Sequence, residues 1–116
     1  MFLAGKKANE LEHIVLLDPV GAGASSLRTN TASELLKQIR FDAVRGNISE
    51  IKALYVGDSA TRGVDANSVD AVTEQNLNSA VEMVKSFAVE FHCIAAVTGA
   101  IDLVSDGKRC YVIRNG

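Results

Sequence analysis

The fold class is decided by residues 14–26, Ile14-Val15-Leu16-Leu17-Asp18-Pro19-Val20-Gly21-Ala22-Gly23-Ala24-Ser25-Ser26. Its first four residues are apolar without alternation, the pattern of a strand buried on both faces, as in a parallel sheet. A core helix needs more length, and Pro19 ends the run. A loop of small residues then follows directly at the strand's carboxyl end.

Upstream, Phe2, Leu3, Ala4, Ala8 and Leu11 fall roughly on one face of a helix over Met1–Leu11. Downstream, Thr31 and Glu34 have the spacing of a capping box and predict a helix start near Thr31. Ala32, Leu35, Leu36 and Ile39 supply its apolar stripe. Phe41–Val44 reads as a second strand ending at Arg45-Gly46-Asn47. Asn47 and Glu50 repeat the capping-box spacing ahead of a short helix with Ile48, Ile51, Leu54 and Tyr55 on one face. Gly57–Ser68 is polar and reads as a surface loop. A long helix is predicted from about Val72 to Glu90, with Leu77, Ala80, Val81, Val84, Phe87 and Ala88 at three-four spacing. Cys93–Val97 is a third buried strand, ending at Thr98-Gly99. Asp102–Ser105 and Arg109–Ile113 flank Asp106-Gly107, a hairpin signal.

Strands alternating with helices predict a three-layer α/β (αβα) architecture, with a mostly parallel sheet and a C-terminal β-hairpin. At 116 residues the chain holds one domain. Three parallel strands plus a hairpin make a thin sheet, so residues 1–116 are expected to be a single partial domain. The chain is 47% hydrophobic and 22% charged, a globular balance that argues against a largely disordered chain. A net charge of −2 argues against a nucleic-acid partner. No apolar run approaches the ~20 residues of a membrane span, and Lys6 and Lys7 follow the short apolar opening, the reverse of a secretory signal. Two cysteines, Cys93 and Cys110, make neither a disulfide framework nor a CxxC motif, so a reducing cytoplasm is the expected location. His13 and His92 each precede a predicted strand and read as structural.

In open α/β sheets, ligands bind beyond the carboxyl ends of the strands. Here the three parallel strands end in Asp18-Pro19-Val20-Gly21, Arg45-Gly46-Asn47 and Thr98-Gly99. One sheet edge thus collects a carboxylate, a guanidinium, an amide and a hydroxyl, with Glu50 one turn inward. That set suits a metal-nucleotide: carboxylates hold Mg²⁺, usually through waters, and arginine pairs with phosphate oxygens. Each residue also has a plainer reading. Asp18 before proline organises turns, Asn47 and Glu50 cap helices, a strand-end arginine is often solvated, and Thr98 fits a turn. Their joint occurrence at strand ends favours a site. The Gly21–Ser26 loop half matches GxGxxG, a weak dinucleotide signal, and GxxxxGK[ST] is absent.

The run Leu17–Ala24, then Leu27-Arg28-Thr29, Arg45-Gly46-Asn47-Ile48-Ser49-Glu50-Ile51, Gly63-Val64-Asp65 and Val97-Thr98-Gly99 resembles hydroxyethylthiazole kinase, a thiamine-salvage family of the ribokinase-like superfamily. The resemblance runs over essentially the whole chain. It implies a ribokinase-like fold, and transfer of the ATP γ-phosphoryl group to the hydroxyl of 5-(2-hydroxyethyl)-4-methylthiazole with Mg²⁺. By this resemblance Asp18 and Glu50 place the metal, largely through water, while Arg45, Thr98 and Asn47 contact ATP on its phosphate side. It also implies a homotrimer in the intact protein, with the thiazole pocket between subunits. The family's Thr-Gly-x-Gly-Cys segment, with its anion hole and candidate base, falls beyond the equivalent of Gly116. No catalytic base is therefore assigned in this chain, and little kinase activity is expected of residues 1–116 alone. Two alternatives remain beside this one. One is a dehydratase of the same fold acting on hydrated nicotinamide nucleotides, which Arg45–Glu50 disfavours. The other is a non-catalytic nucleotide-binding or assembly module.

Overall fold

The computed structural model describes residues 2–57 and 71–115. The predicted loop over Gly57–Ser68 and the Gly63-Val64-Asp65 motif lie almost wholly outside the described residues. The element order is α1 (Phe2–Glu10), β1 (Leu16–Leu17), α2 (Ser26–Gln38), β2 (Ala43–Gly46), α3 (Ile48–Gly57), α4 (Leu77–Phe91), β3 (Ile94–Val97), β4 (Ile101–Ser105) and β5 (Cys110–Arg114). The five strands form one sheet in sequence order. β1, β2 and β3 pair in parallel, and β4 returns antiparallel between β3 and β5, so four strands share one direction.

Asp42 sets the register at the start of the sheet. Its carboxylate accepts from the Val15 amide at 2.7 Å, its amide donates to Val15 O at 2.8 Å, and its carbonyl accepts from the Ile94 amide at 2.9 Å. These bonds fix β1, β2 and β3 side by side, so that their carboxyl ends reach a common edge. Chain reversal into β5 uses Gly107 at φ 99°, with Asp106 Oδ1 accepting from the Lys108 and Arg109 amides.

The core lies between the sheet and the helices. Val44, Ala95, Val97 and Leu103 point from the strands toward Ile51 and Leu54 of α3 and Ala80, Val84 and Phe87 of α4. The α4 positions recur every three or four residues, so one helical stripe takes all the burial. Phe87 is fully buried and packs on Phe91 with ring centroids 4.6 Å apart. Truncating a buried phenylalanine of this kind costs about 3–5 kcal/mol.

The opposite face of the sheet is apolar yet exposed, with Leu16 at 57%, Ile94 at 46% and Tyr111 at 64%. Burial of β1 on both faces is therefore corrected: Leu17 is buried, whereas Ile14 and Leu16 are not. An unbroken apolar run cannot distinguish a doubly covered strand from one whose outer face is merely apolar. The described residues contain two of the three expected layers.

Several boundaries also differ from expectation. Helix α2 begins at Ser26 rather than near Thr31, because Ser25 caps it by accepting from the Arg28 amide at 3.3 Å. Helix α4 begins at Leu77 rather than Val72. Thr73 and Asn76 exchange backbone-to-side-chain bonds of 2.8 and 3.3 Å, which hold the preceding residues in a turn. Strand β2 runs on through Arg45 and Gly46, two residues past its predicted end.

Candidate functional site

The carboxyl edge is built from the three parallel strands. At its centre the Thr98 amide donates to the Gly46 carbonyl at 3.0 Å. This bond brings Thr98 beside the segment Arg45-Gly46-Asn47, and all three polar residues there, Arg45, Asn47 and Thr98, are exposed. Asp18 is also exposed, at the end of β1. The ring of the following Pro19 borders Gly46, as does Glu50: a Cβ built on Gly46 would lie 3.7 Å from Pro19 Cδ and 3.0 Å from Glu50 Oε1. The absent side chain at Gly46 is what allows the β1 loop and the α3 helix to close on the end of β2.

Glu50 holds the loop side together. Its Oε1 accepts from the Asn47 amide at 2.9 Å while Asn47 Oδ1 accepts from the Glu50 amide at 2.8 Å, a reciprocal capping box at the start of α3. Its Oε2 accepts from the Gly21 amide at 2.9 Å, 29 residues away in sequence. Gly21 and Gly23 take φ of 83° and 91°, which only glycine adopts without strain. The Gly23 amide donates to Thr29 Oγ1 at 2.8 Å, so helix α2 anchors the far end of the loop.

Two hollows flank this arrangement. One of about 530 Å³ lies between the glycine loop and α3, bordered by Gly21, Gly23, Asn47, Glu50, Lys52 and Val56. The other, of about 220 Å³, lies between Asn47, Ile48, Val72, Thr98, Gly99 and Ile101. Asn47 borders both; Asp18 and Arg45 border neither. The Arg114 guanidinium pairs with Glu74 through Nε at 2.6 Å and Nη2 at 3.2 Å, tying the end of β5 to the segment that walls the smaller hollow.

The β3–β4 turn holds a carboxylate that the strand-end reading passed over. Asp102 Oδ1 accepts from the Gly99 amide at 2.8 Å, and its Oδ2 accepts from Asn115 Nδ2 at 2.9 Å. Asn115 Nδ2 also donates to Gly99 O at 3.1 Å, and the Asn115 amide to Ala100 O at 3.0 Å. The Asn115 amide group, the Gly99 amide and, more weakly, the Arg45 guanidinium hold the Asp102 carboxyl below the ordinary aspartate range. A signal for it exists in the sequence: an acid three residues after Gly99 repeats the spacing of Glu50 after Asn47.

The cysteines stand apart from the edge. Burial pushes the Cys93 thiol up to about 11 and raises that of Cys110, so neither is a ready nucleophile. His92 closes α4 in the left-handed conformation at φ 51°.

Among the described residues no three His, Cys, Asp or Glu side chains converge as a metal cage. The donor set nonetheless fits Mg²⁺, which binds through one or two carboxylates, substrate phosphates and retained waters. Asp18 is open to solvent, and each Glu50 oxygen accepts one amide bond while keeping a lone pair.

A model of the hydroxyethylthiazole kinase family matches residues 1–116. The chain belongs to the hydroxyethylthiazole kinase family. A hydroxyethylthiazole kinase of Clostridium acetobutylicum is 47% identical over 116 residues, all of this chain and 42% of that protein. One of Methanococcus maripaludis is 45% identical over 113 residues, 97% of this chain and 40% of that protein. A solved structure described as a hydroxyethylthiazole kinase protein from Pyrococcus horikoshii OT3 matches with a TM-score of 0.78 at 37% identity, over 99% of this chain and 39% of that one. The mixed α/β arrangement with its mostly parallel sheet is thus shared with the matching 39% of that kinase. The chain spans about two fifths of the length of the relatives it matches. Among the described residues no helix is long and apolar enough to cross a membrane.

Proposed function

We propose that this chain forms the part of a hydroxyethylthiazole kinase that faces the nucleotide phosphates and Mg²⁺. The whole enzyme moves the γ-phosphoryl group of ATP onto the hydroxyl of 5-(2-hydroxyethyl)-4-methylthiazole in thiamine biosynthesis. The observation that carries this reading is the 3.0 Å bond from the Thr98 amide to the Gly46 carbonyl, which gathers Arg45, Asn47 and Thr98 on adjacent strand ends.

In this reading Arg45, Asn47 and Thr98 contact the ATP phosphates, and Asp18 and Glu50 hold the metal largely through its waters. Mg²⁺, when bound, neutralises phosphate charge. Phosphoryl transfer asks mainly for positioning and charge neutralisation of this kind. The substrate oxygen forms a bond to the γ-phosphorus as the bond to the ADP oxygen breaks, and the hydroxyl proton passes to a base that this chain does not assign. The homotrimeric assembly and the cytoplasmic location belong to the same proposal.

Equilibrium binding of Mg·ATP to the 116-residue chain tests it, with Arg45→Ala alongside. A guanidinium–phosphate contact is a charge-assisted hydrogen bond worth about 1.5–3 kcal/mol, so Arg45→Ala should weaken binding by roughly 10–100-fold. Absence of binding to the unsubstituted chain, or equal affinity in the variant, would overturn the reading. Chelating Mg²⁺ should weaken ATP binding to the unsubstituted chain as well.

A further inference from the structure

Asp102 lies outside the strand-end residues to which the proposed function gives roles, yet it is bonded to the turn that carries one of them. Its Oδ1 accepts from the Gly99 amide at 2.8 Å, fixing the peptide that immediately follows Thr98. Its Oδ2 is held at 2.9 Å by Asn115 Nδ2, which also binds the Gly99 carbonyl at 3.1 Å. The Thr98–Gly99 turn is thereby gripped through both the amide and the carbonyl of Gly99.

The sheet register adds a second link. Arg45 pairs with Ala96, and Ala96 pairs with Val104. Asp102 is two residues from Val104 on β4, so its side chain rises from the same face as Arg45. The Arg45 charge, on that face, weakly favours the ionised Asp102 carboxyl. The carboxylate therefore grips the backbone turn that carries Thr98, a proposed phosphate contact.

We propose that Asp102 is a positioning residue for nucleotide binding: its carboxylate sets the Thr98–Gly99 turn. The inference rests on the reading that Thr98 faces the phosphates. Asp102 itself is an anion and touches no phosphate. It acts through the geometry of that turn, as a supporting carboxylate does behind a binding group.

The test is a double-mutant cycle on Mg·ATP affinity in the 116-residue chain, using Thr98→Ala, Asp102→Ala and the two combined, with Asp102→Asn as the conservative variant. Asp102→Ala is expected to weaken Mg·ATP binding about tenfold, in line with loss of one charge-assisted hydrogen bond. In the Thr98→Ala background the same change should cost under about twofold, because residues acting in one network do not add. Asp102→Asn keeps an oxygen for the Gly99 amide and loses the charge, so it should recover part of the affinity and leave the Gly99 amide resonance near its original position. It also serves if Asp102→Ala fails to fold.

The outcomes separate the two claims. If Arg45→Ala weakens binding while Asp102→Ala and Asp102→Asn bind like the unsubstituted chain, the Asp102 proposal is wrong and the phosphate reading stands. An undiminished Asp102 effect in the Thr98→Ala background also overturns the proposal, since Asp102 would then act independently of the turn residue. If the unsubstituted chain does not bind Mg·ATP, the phosphate reading falls and takes this role with it.

Discussion

On the glycine-loop side of the strand edge, Glu50 accepts from two backbone amides, Gly21 and Asn47. On the side of the β3–β4 turn, Asp102 accepts from one backbone amide, Gly99, and one side chain, Asn115. Both acids sit three residues after the amide they bind locally. The difference lies in what the second oxygen does. Glu50 joins a loop to a helix across 29 residues, next to Gly46 and Pro19, where the chain is tightly packed. Asp102 joins two neighbouring strands at an exposed margin, where water can replace a lost partner. The first carboxylate should therefore matter chiefly for stability, and the second chiefly for the placement of groups around it.

The largest effect should come from Glu50→Ala, which removes the capping-box partner and frees the glycine loop. Losing the cap and one charge-assisted bond together is expected to cost about 2–4 kcal/mol. Urea unfolding would measure it, and Glu50→Gln should lose about half as much because one oxygen survives. If Glu50→Ala proved no more destabilising than Asp102→Ala, the contrast between the two sides would break.

Gly21→Ala sharpens the same side by a smaller step. Its φ of 83° is left-handed, and a Cβ there would meet Arg28 Cδ and Nη1 at 2.6 Å. Arg28 is an exposed side chain that can swing away, so the expected cost is chiefly the backbone term of about 1–2 kcal/mol. Adding Arg28→Ala should therefore recover little stability. Substantial recovery would mean that the arginine, rather than the backbone, limits the position.

How much of this was legible in the sequence depends on whether a residue's partner is near it in the chain. The Asn47–Glu50 box and the order of strands could be read directly, because both rest on local spacing. The same rule misled at Thr31 and Glu34, which have the right spacing but lie inside α2, while Ser25 takes the cap. At Thr73 and Asn76 the side chains bind backbone amides and delay α4, a competition that apolar periodicity does not register. Glu50's hold on Gly21 and Asp102's hold on Asn115 needed the fold itself, since nothing local relates residues 29 or 13 apart. The strand ends told which residues share an edge. They did not tell which acid supports which turn.

The smallest expected effect tests the exposed side through its pH dependence. Asn115 is the largest cause of the low Asp102 proton affinity, ahead of the Gly99 amide and Arg45. A carboxyl depressed in the folded state stabilises the fold above its unfolded value, about 3.9, and that contribution is lost as pH falls toward the lower folded value. Asn115→Ala should raise the folded value and so narrow that window, with a small loss of stability near neutral pH and a weaker dependence on pH below it. Asp106 and Glu74 are also depressed and titrate in the same acid range, so bulk acid unfolding would blend all three. Residue-resolved carboxyl NMR separates them: the Asp102 midpoint should move up in Asn115→Ala while those of Asp106 and Glu74 stay. An unmoved Asp102 midpoint would mean that the Gly99 amide and Arg45 suffice to hold the charge, and that Asn115 serves the turn only through its bond to the Gly99 carbonyl.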